Sequence, residues 1–294
     1  MPDYPVSVIV PTRVGWPEMR ISTDALLPQL RAAGAQLIVA DASDAPMPAW
    51  ADSADVKWLR MPGVPGTALR QAAYAAADAP ILAITEDHAA PAPDWLAKVI
   101  QEHAANPDAA AIYGMVQNGS HDHLIDWALF GAGYLAWAPP RPLQGGNPGH
   151  VNLSFKASTF DRHVPHADTV LEFRYVDALR RAGEQIVASD QMLVTHYQCT
   201  GIRRTSKLFF HNGRAIAGVR RQRMGPLDWL RAGAPILMAG YRTMRTLRIA
   251  RSKPAIEPIV VRSSVHIALL HTLHAMGESV GYLGGPGDSP SHLH

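Results

Sequence analysis

Two carboxylates and an imidazole stand together at Glu86-Asp87-His88, directly after the apolar run Ile81-Leu82-Ala83-Ile84 and Thr85. Hard oxygen donors beside an imidazole suit a divalent cation. A simpler role for such carboxylates is capping the helix that follows, and Asp94 is better placed for that. Other polar residues also close apolar runs: Thr12-Arg13, Asp41 and His196. Further along, a polar segment carries Glu172 and Asp177, carboxylates suited to a solvated face near a helix N-terminus. Basic residues crowd Arg203, Arg204 and Lys207, as on an exposed face that meets anionic lipid.

These residues need elements to position them. Val6-Ser7-Val8-Ile9-Val10 is apolar and β-branched, which predicts a strand closed by Pro11-Thr12-Arg13. Ser22 to Ala33 has helical spacing and ends at Gly34. Strands follow at Leu37–Ala40, Val56–Leu59 and Ile81–Ile84, with an alanine-rich helix from Thr67 to Ala77 before the last of them. Alternating strands and helices on short connections predict a parallel sheet covered on both faces, whose polar strand ends gather along one edge. The reading continues with a helix at Trp95–Ala104 and strands at Ala109–Val116 and Val151–Phe155. After these come a helical turn at Thr159–His163, a helix at Glu172–Ala182, and short strands at Gln185–Val187 and Met192–Thr195. From Ser120 to Gly149 the periodicity weakens into a long Pro/Gly loop. Two mixed apolar segments, Leu227–Ile249 and Ile259–Leu283, predict helices that pack on a domain, a partner or a membrane surface, and 284–294 reads as a disordered tail.

Composition narrows the classes. The 294 residues carry a formal charge of +2, which gives no electrostatic case for nucleic acid as a partner. A single cysteine, Cys199, excludes an intramolecular disulfide and a cysteine-rich zinc site. No signal peptide precedes the first strand, and no run of about 20 apolar residues reads as a transmembrane helix. The expectation is a cytoplasmic protein, peripheral on the inner membrane face if it meets a membrane at all.

With these elements in order, the sequence resembles the family 2 glycosyltransferases of the GT-A fold over roughly residues 5 to 200. The likeness rests on Val6–Thr12, Ile38-Val39-Ala40-Asp41-Ala42-Ser43, Ala68–Ala73, Thr85-Glu86-Asp87-His88 with Pro91 and Trp95-Leu96, and Arg180-Arg181-Ala182-Gly183. It implies an α/β fold: a GT-A type mixed, mostly parallel sheet flanked by helices, with a C-terminal helical extension. The implied layout is a catalytic domain at 1–202, with a nucleotide-sugar half (1–119) and an acceptor half (120–202), and a basic helical extension at 203–294.

The resemblance also implies roles. Pro11, Thr12, Arg13, Asp41 and Arg70 would line the nucleotide-sugar pocket together with Glu86 and Asp87. Glu86 and His88 match the outer positions of the family's Asp-x-Asp metal motif, so Glu86, Asp87, His88 and His196 become the metal-side residues. An imidazole in place of the second Asp favours Mn²⁺ over Mg²⁺. Glu172 falls at the position of the family's general base, with Leu171 where a first acid is expected and Asp177 in reserve. Asn152 and Ser154 would face the acceptor, Arg203 and Arg204 the diphosphate. Trp127, Trp137 and the loop around Gly145 could stack on the acceptor or pack in the core.

The expected activity is metal-assisted inverting transfer of a sugar from a nucleotide-diphosphate donor, UDP-linked by preference, to a hydroxyl acceptor that is lipid-linked or polymeric. Two alternatives stand beside it. One is a catalytically degenerate GT-A protein that binds a nucleotide sugar or a partner; the other is a nucleotidyltransferase, which the absence of a glycine-rich loop after the first strand disfavours.

Overall fold

The computed structural model describes residues 4–64, 66–144, 151–163, 172–197, 201–221 and 224–293. The chain divides into two compact units, one of residues 1–117 and 137–197, the other of 118–136 and 198–294. Segment 118–136 thus groups with the C-terminal helices.

The first unit is built on an eight-stranded sheet of order β3-β2-β1-β4-β7-β6-β8-β5. Its strands are β1 (Val6–Thr12), β2 (Gln36–Asp41), β3 (Val56–Arg60), β4 (Ile81–Ile84), β5 (Ala89–Pro91), β6 (Ala109–Asn118), β7 (Leu153–Lys156) and β8 (Gln185–His196). The first four run parallel. Strands β1, β2 and β4 are largely apolar and buried, as a sheet covered on both faces requires, while β3 at the edge is only half-buried. Helices α1 (Arg20–Ala33), α2 (Gly66–Ala75), α3 (Trp95–Ala105), α5 (Ala157–His163) and α6 (Glu172–Arg181) also belong to this unit. The second half of the sheet turns antiparallel, β7 pairing with β4 and β6, and β8 with β5.

Register decides which polar ends meet. Thr12 lies opposite Asp41, and Ile9 opposite Ile84, so the residues just after β4 emerge beside those that end β1 and β2. At the far side Ala89 pairs with His196, which carries that histidine back to the segment following β4.

The core under this edge holds Ile9, Ile38, Leu82, Ile84, Tyr113, Leu153 and Phe155. Tyr175, Val176 and Leu179, spaced i, i+1, i+4 on α6, enter the same core. Tyr74, Phe155 and Tyr175 meet edge to face, with ring centroids 5.7 to 6.3 Å apart. Burying an apolar side chain of this size stabilises by roughly 1.5–3 kcal/mol, so α6 is held firmly against the sheet.

The second unit contains α4 (Leu124–Gly133), α7 (Gly201–Arg220), α8 (Pro226–Gly233), α9 (Pro235–Ala250), α10 (Glu257–Arg262) and α11 (Ser264–Gly284). Backbone contact between α7 and α11 is close: a Cβ on Gly277 would lie 2.0 Å from the Phe210 carbonyl oxygen. An ion pair between half-buried Arg242 and buried Glu278, Nη2 to Oε2 at 2.6 Å, ties α9 to α11. Asp228 accepts from the Tyr282 hydroxyl at 2.6 Å and from Arg231 at 2.8 Å, tying α8 to the same helix.

The structure corrects several local expectations. Segment 120–149 contains the well-formed helix α4, whose His123 N–H donates to Asp126 as a cap. Gln185–Val187 and Met192–Thr195 are one strand, β8, because the polar residues between them stay extended. Pro235 divides the segment Leu227–Ile249 into α8 and α9, and it opens α9 at the position where its missing N–H costs nothing. Asp94 occupies the N-cap position of α3 without a side-chain capping bond. Residues 284–293 are not a loose tail: Ser289 is buried, its hydroxyl 3.0 Å from His211 Nδ1, inside a short helical turn at Ser289–His292.

Candidate active site

The carboxyl-end edge of the parallel strands collects the chemistry-bearing side chains. Glu86, His88 and His196 can each offer one ligand atom, and these atoms all lie within 4.8 Å of one another. His196 Nε2 lies 2.5 Å from Glu86 Oε2, with the His196 side chain only 3% exposed. His88 Nε2 faces the same Glu86 oxygen at 3.2 Å, and its side chain is 50% exposed. The two imidazole rings meet tilted, with centroids 4.6 Å apart. One wall is therefore dry and fixed, while the other opens to solvent, as an accessible cation site requires.

Asp87, expected among the metal ligands, has a different position. Its Oδ1 lies 2.6 Å from His88 Nδ1, and its Oδ2 accepts from the Thr12 hydroxyl at 2.7 Å. A neutral His88 that donates from Nδ1 to Asp87 carries its lone pair on Nε2, the atom that faces Glu86. A carboxylate behind a histidine that ligates a metal would set its tautomer and ring orientation, and Asp87 stands where it could do so for His88. Thr12 in turn accepts from the backbone N–H groups of Val14 and Gly15, at 3.2 and 3.0 Å. The end of β1 thereby anchors the post-β4 segment.

Asp41 is fully buried at the end of β2. Its Oδ1 accepts from the Ser43 N–H and hydroxyl at 2.8 and 2.6 Å, and its Oδ2 from Trp58 Nε1 at 3.0 Å. Arg60 approaches Oδ2 at 3.5 Å. The carboxylate thus organises the loop after β2. Trp58 continues into an aromatic array with Trp50 and Trp16, at centroid distances of 5.5 and 5.7 Å. Ser43 was legible as the hydroxyl two residues beyond an Asp at a strand end, whereas nothing in the local sequence linked Trp58 to Asp41.

Other expected site residues are distributed as follows. Pro11 is half-buried, Arg13 exposed, and Arg70 buried on α2. Asn152 and Ser154, expected toward the acceptor, lie inside the sheet. Asn152 accepts from Trp95 Nε1 at 2.8 Å and donates to the carbonyls of Met115 and Met192 at 2.8 and 3.1 Å. Ser154 donates to the Ile112 carbonyl at 3.2 Å and lies 2.9 Å from His103 Nε2. These bonds stitch α3, β6, β7 and β8 together. Glu172 is the first residue of α6, and its side chain lies outside the described residues, as do Leu171 and the loop around Gly145. Asp177 is half-buried on α6. Arg203 and Arg204 are exposed on α7 in the second unit. Trp137 is half-buried in the first unit, and Trp127 packs beside His121 and Phe130 in the second.

The sequence profile of glycosyl transferase family 2 matches residues 7–161, more than half of the chain. The chain belongs to glycosyl transferase family 2. Its GT-A architecture agrees with solved structures at low identity. One is the mannosyltransferase PcManGT from Pyrobaculum calidifontis in complex with GDP-Man and Mn²⁺: TM-score 0.61, 15% identity, covering 97% of this chain and 88% of that one. Another is TarS residues 1–349 from S. aureus: TM-score 0.50, 11% identity, covering 95% and 91%. No curated protein sequence matches the chain significantly. Within the family 2 fold, the variant motif Glu86-Asp87-His88 acquires its third potential ligand, His196, from the far end of the sheet.

Proposed function

We propose that this family 2 glycosyltransferase moves a sugar from a nucleotide-diphosphate donor to a hydroxyl acceptor with inversion, assisted by a divalent cation. The observation that carries the reading is the convergence of Glu86, His88 and His196 on one point of the strand-end edge. The donor set fits a cation: one carboxylate oxygen and two imidazole nitrogens, with His88 oriented from behind by Asp87. Two imidazoles favour Mn²⁺ over Mg²⁺, which prefers oxygen ligands. A cation held there would neutralise the negative charge that grows on the departing diphosphate.

The remaining work falls to the chain. The acceptor oxygen forms its bond to the anomeric carbon as the carbon–oxygen bond to the diphosphate breaks. The bonding pair leaves with the diphosphate, and the acceptor's proton passes to the Glu172 carboxylate. Attack from the face opposite the leaving group inverts the anomeric centre. Pro11, Thr12 and Arg13 are assigned to the donor pocket wall, with Asp41 holding the loop that receives the nucleoside and Arg70 near the nucleotide. UDP-sugars are the first donors to test, and GDP-mannose the second, because PcManGT was solved with it. The acceptor is assigned to the lipid-linked or polymeric class, and the protein to the inner surface of a membrane.

Incubating the protein with Mn²⁺, UDP- and GDP-sugars and a panel of hydroxyl acceptors, and measuring nucleoside diphosphate release and product, tests this reading. Turnover that depends on Mn²⁺ and disappears in Glu172→Gln supports it. If donors bind by calorimetry but no diphosphate is released with any acceptor, the chain is a degenerate binder and the catalytic reading fails.

A further inference from the structure

We propose that the outer face of α8 and α9 seats the protein on the interface of an anionic phospholipid bilayer. The inference takes up the membrane location of the reading above and is independent of its chemistry.

The spacing of exposed residues on α9 and its C-cap Arg251 is that of one helical stripe. Leu237, Tyr241, Met244, Arg248 and Arg251 stand at i, i+4, i+7, i+11 and i+14, flanked by Ile236 and Arg245, and all are exposed. Ile236 is 71% exposed, Leu237 62%, Tyr241 61% and Met244 66%, and Trp229 on α8 is 63% exposed. Apolar side chains this open are normally scattered singly, and here they are contiguous along a helix. The opposite face is fixed. Met238 and Ala239 pack against Ala275 of α11, Thr246 and Ala250 are buried, and Arg242 is pinned to Glu278. Packing therefore sets which side of α9 faces outward.

Charge points to the kind of surface that covers it. Between residues 226 and 251 the sequence holds five arginines and one carboxylate, Asp228. That carboxylate is committed to the Gly225 N–H, Arg231 and the Tyr282 hydroxyl. Arg245, Arg248 and Arg251 thus share their face with no acidic neighbour from this segment. A second copy meeting this face isologously would set arginines against arginines or against apolar turns, with no carboxylate to answer them. An anionic bilayer answers both parts, since lipid phosphates take the arginines while the apolar turns enter the acyl boundary. Trp229 and Tyr241, ring bodies with a polar tip, suit the headgroup level. No helix among the described residues is long and apolar enough to cross a membrane, so the surface is one that lies on the bilayer.

Flotation of the full chain with phosphatidylcholine vesicles, with and without phosphatidylglycerol, tests the proposal, with no donor or metal in the assay. The expected result is recovery with anionic vesicles, weak recovery with neutral ones, and release by salt. Each surface arginine contributes roughly fivefold to partition, so Arg245→Gln/Arg248→Gln/Arg251→Gln should lower it on the order of a hundredfold. Leu237→Glu/Met244→Glu should abolish recovery, with an unchanged thermal melt and Mn²⁺ affinity as controls of folding. Brominated lipid should quench tryptophan emission in the wild type and less so in Trp229→Phe. Equal recovery on neutral and anionic vesicles, or variants that float like the wild type, would overturn the proposal. So would a dimer in light scattering that Leu237→Glu/Met244→Glu dissociates. Because sugar transfer is measured separately, failure of this proposal removes the membrane location but leaves the transfer chemistry standing, and failure of the chemistry leaves this proposal standing.

Discussion

His196 Nε2 and Glu86 Oε2 lie 2.5 Å apart across 110 positions of sequence. The contact exists because β5, only three residues long, pairs Ala89 with His196 immediately after the Glu86-Asp87-His88 segment. A two-residue motif at one strand end thereby becomes a three-residue cluster, and the third member is the least exposed of the set.

If this cluster holds the cation, His196→Ala and Glu86→Gln should each remove most Mn²⁺ binding measured by calorimetry. Asp87→Asn keeps all three ligand atoms but loosens the orientation of His88, so Mn²⁺ affinity should fall by about 10- to 100-fold without loss of fold. An effect as large as that of Glu86→Gln would instead make Asp87 a ligand.

Replacing His88 with the carboxylate common to the family's motif tests the source of metal preference. His88→Asp should narrow the margin of Mn²⁺ over Mg²⁺, because an oxygen donor replaces a nitrogen donor. Donor turnover measured in parallel Mn²⁺ and Mg²⁺ titrations reads this directly, and an unchanged ratio would remove His88 from the ligand set.

Glu172→Gln should reduce transfer by roughly 10²- to 10⁴-fold, the usual contribution of a general base. Mn²⁺ and donor affinities should stay near the wild type. Asp177→Asn, one and a half helical turns away on α6, should change transfer little; the reverse pattern would move the base to Asp177.

Gly114 on β6 lies against β8, and a Cβ there would fall 2.4 Å from both the Met192 carbonyl oxygen and Asn152 Nδ2. Gly114→Ala should therefore destabilise the protein by about 1–3 kcal/mol through overpacking, seen as a lower denaturation midpoint.

Burial holds His103 neutral, with the Lys156 charge adding to the effect, and its pKa is lowered from 6.5 to about 4. Between those values the unfolded chain binds the proton and the folded chain does not, so stability falls as pH drops through that window. The loss between pH 6.5 and 5 should be about 2 kcal/mol, measured by denaturant titration at each pH. His103→Gln should flatten this slope. His271, lowered to about 3 mainly by burial, adds a dependence of the same sign in the second unit.

The sequence alone determined the parallel half of the sheet, the order of its helices and the strand-end position of Thr12, Asp41 and Glu86-Asp87-His88. Continuous β-branched runs and helical spacing are local signals, and in an open α/β sheet they force the polar ends to one edge. It also located α6, whose apolar positions at Tyr175, Val176 and Leu179 repeat on one face. Tertiary structure decided what those residues touch. Asp87 stands behind His88, Asp41 is spent on Ser43 and Trp58, and Asn152 and Ser154 hold strands together, because hydrogen-bond partners are set by register between distant segments. Helix α4 and the continuous β8 were also hidden, since packing overrode weak local preference. The outward face of α9 was decided the same way: sequence supplied its arginines and apolar residues, and the Arg242–Glu278 pair with the Met238–Ala275 packing turned them to solvent.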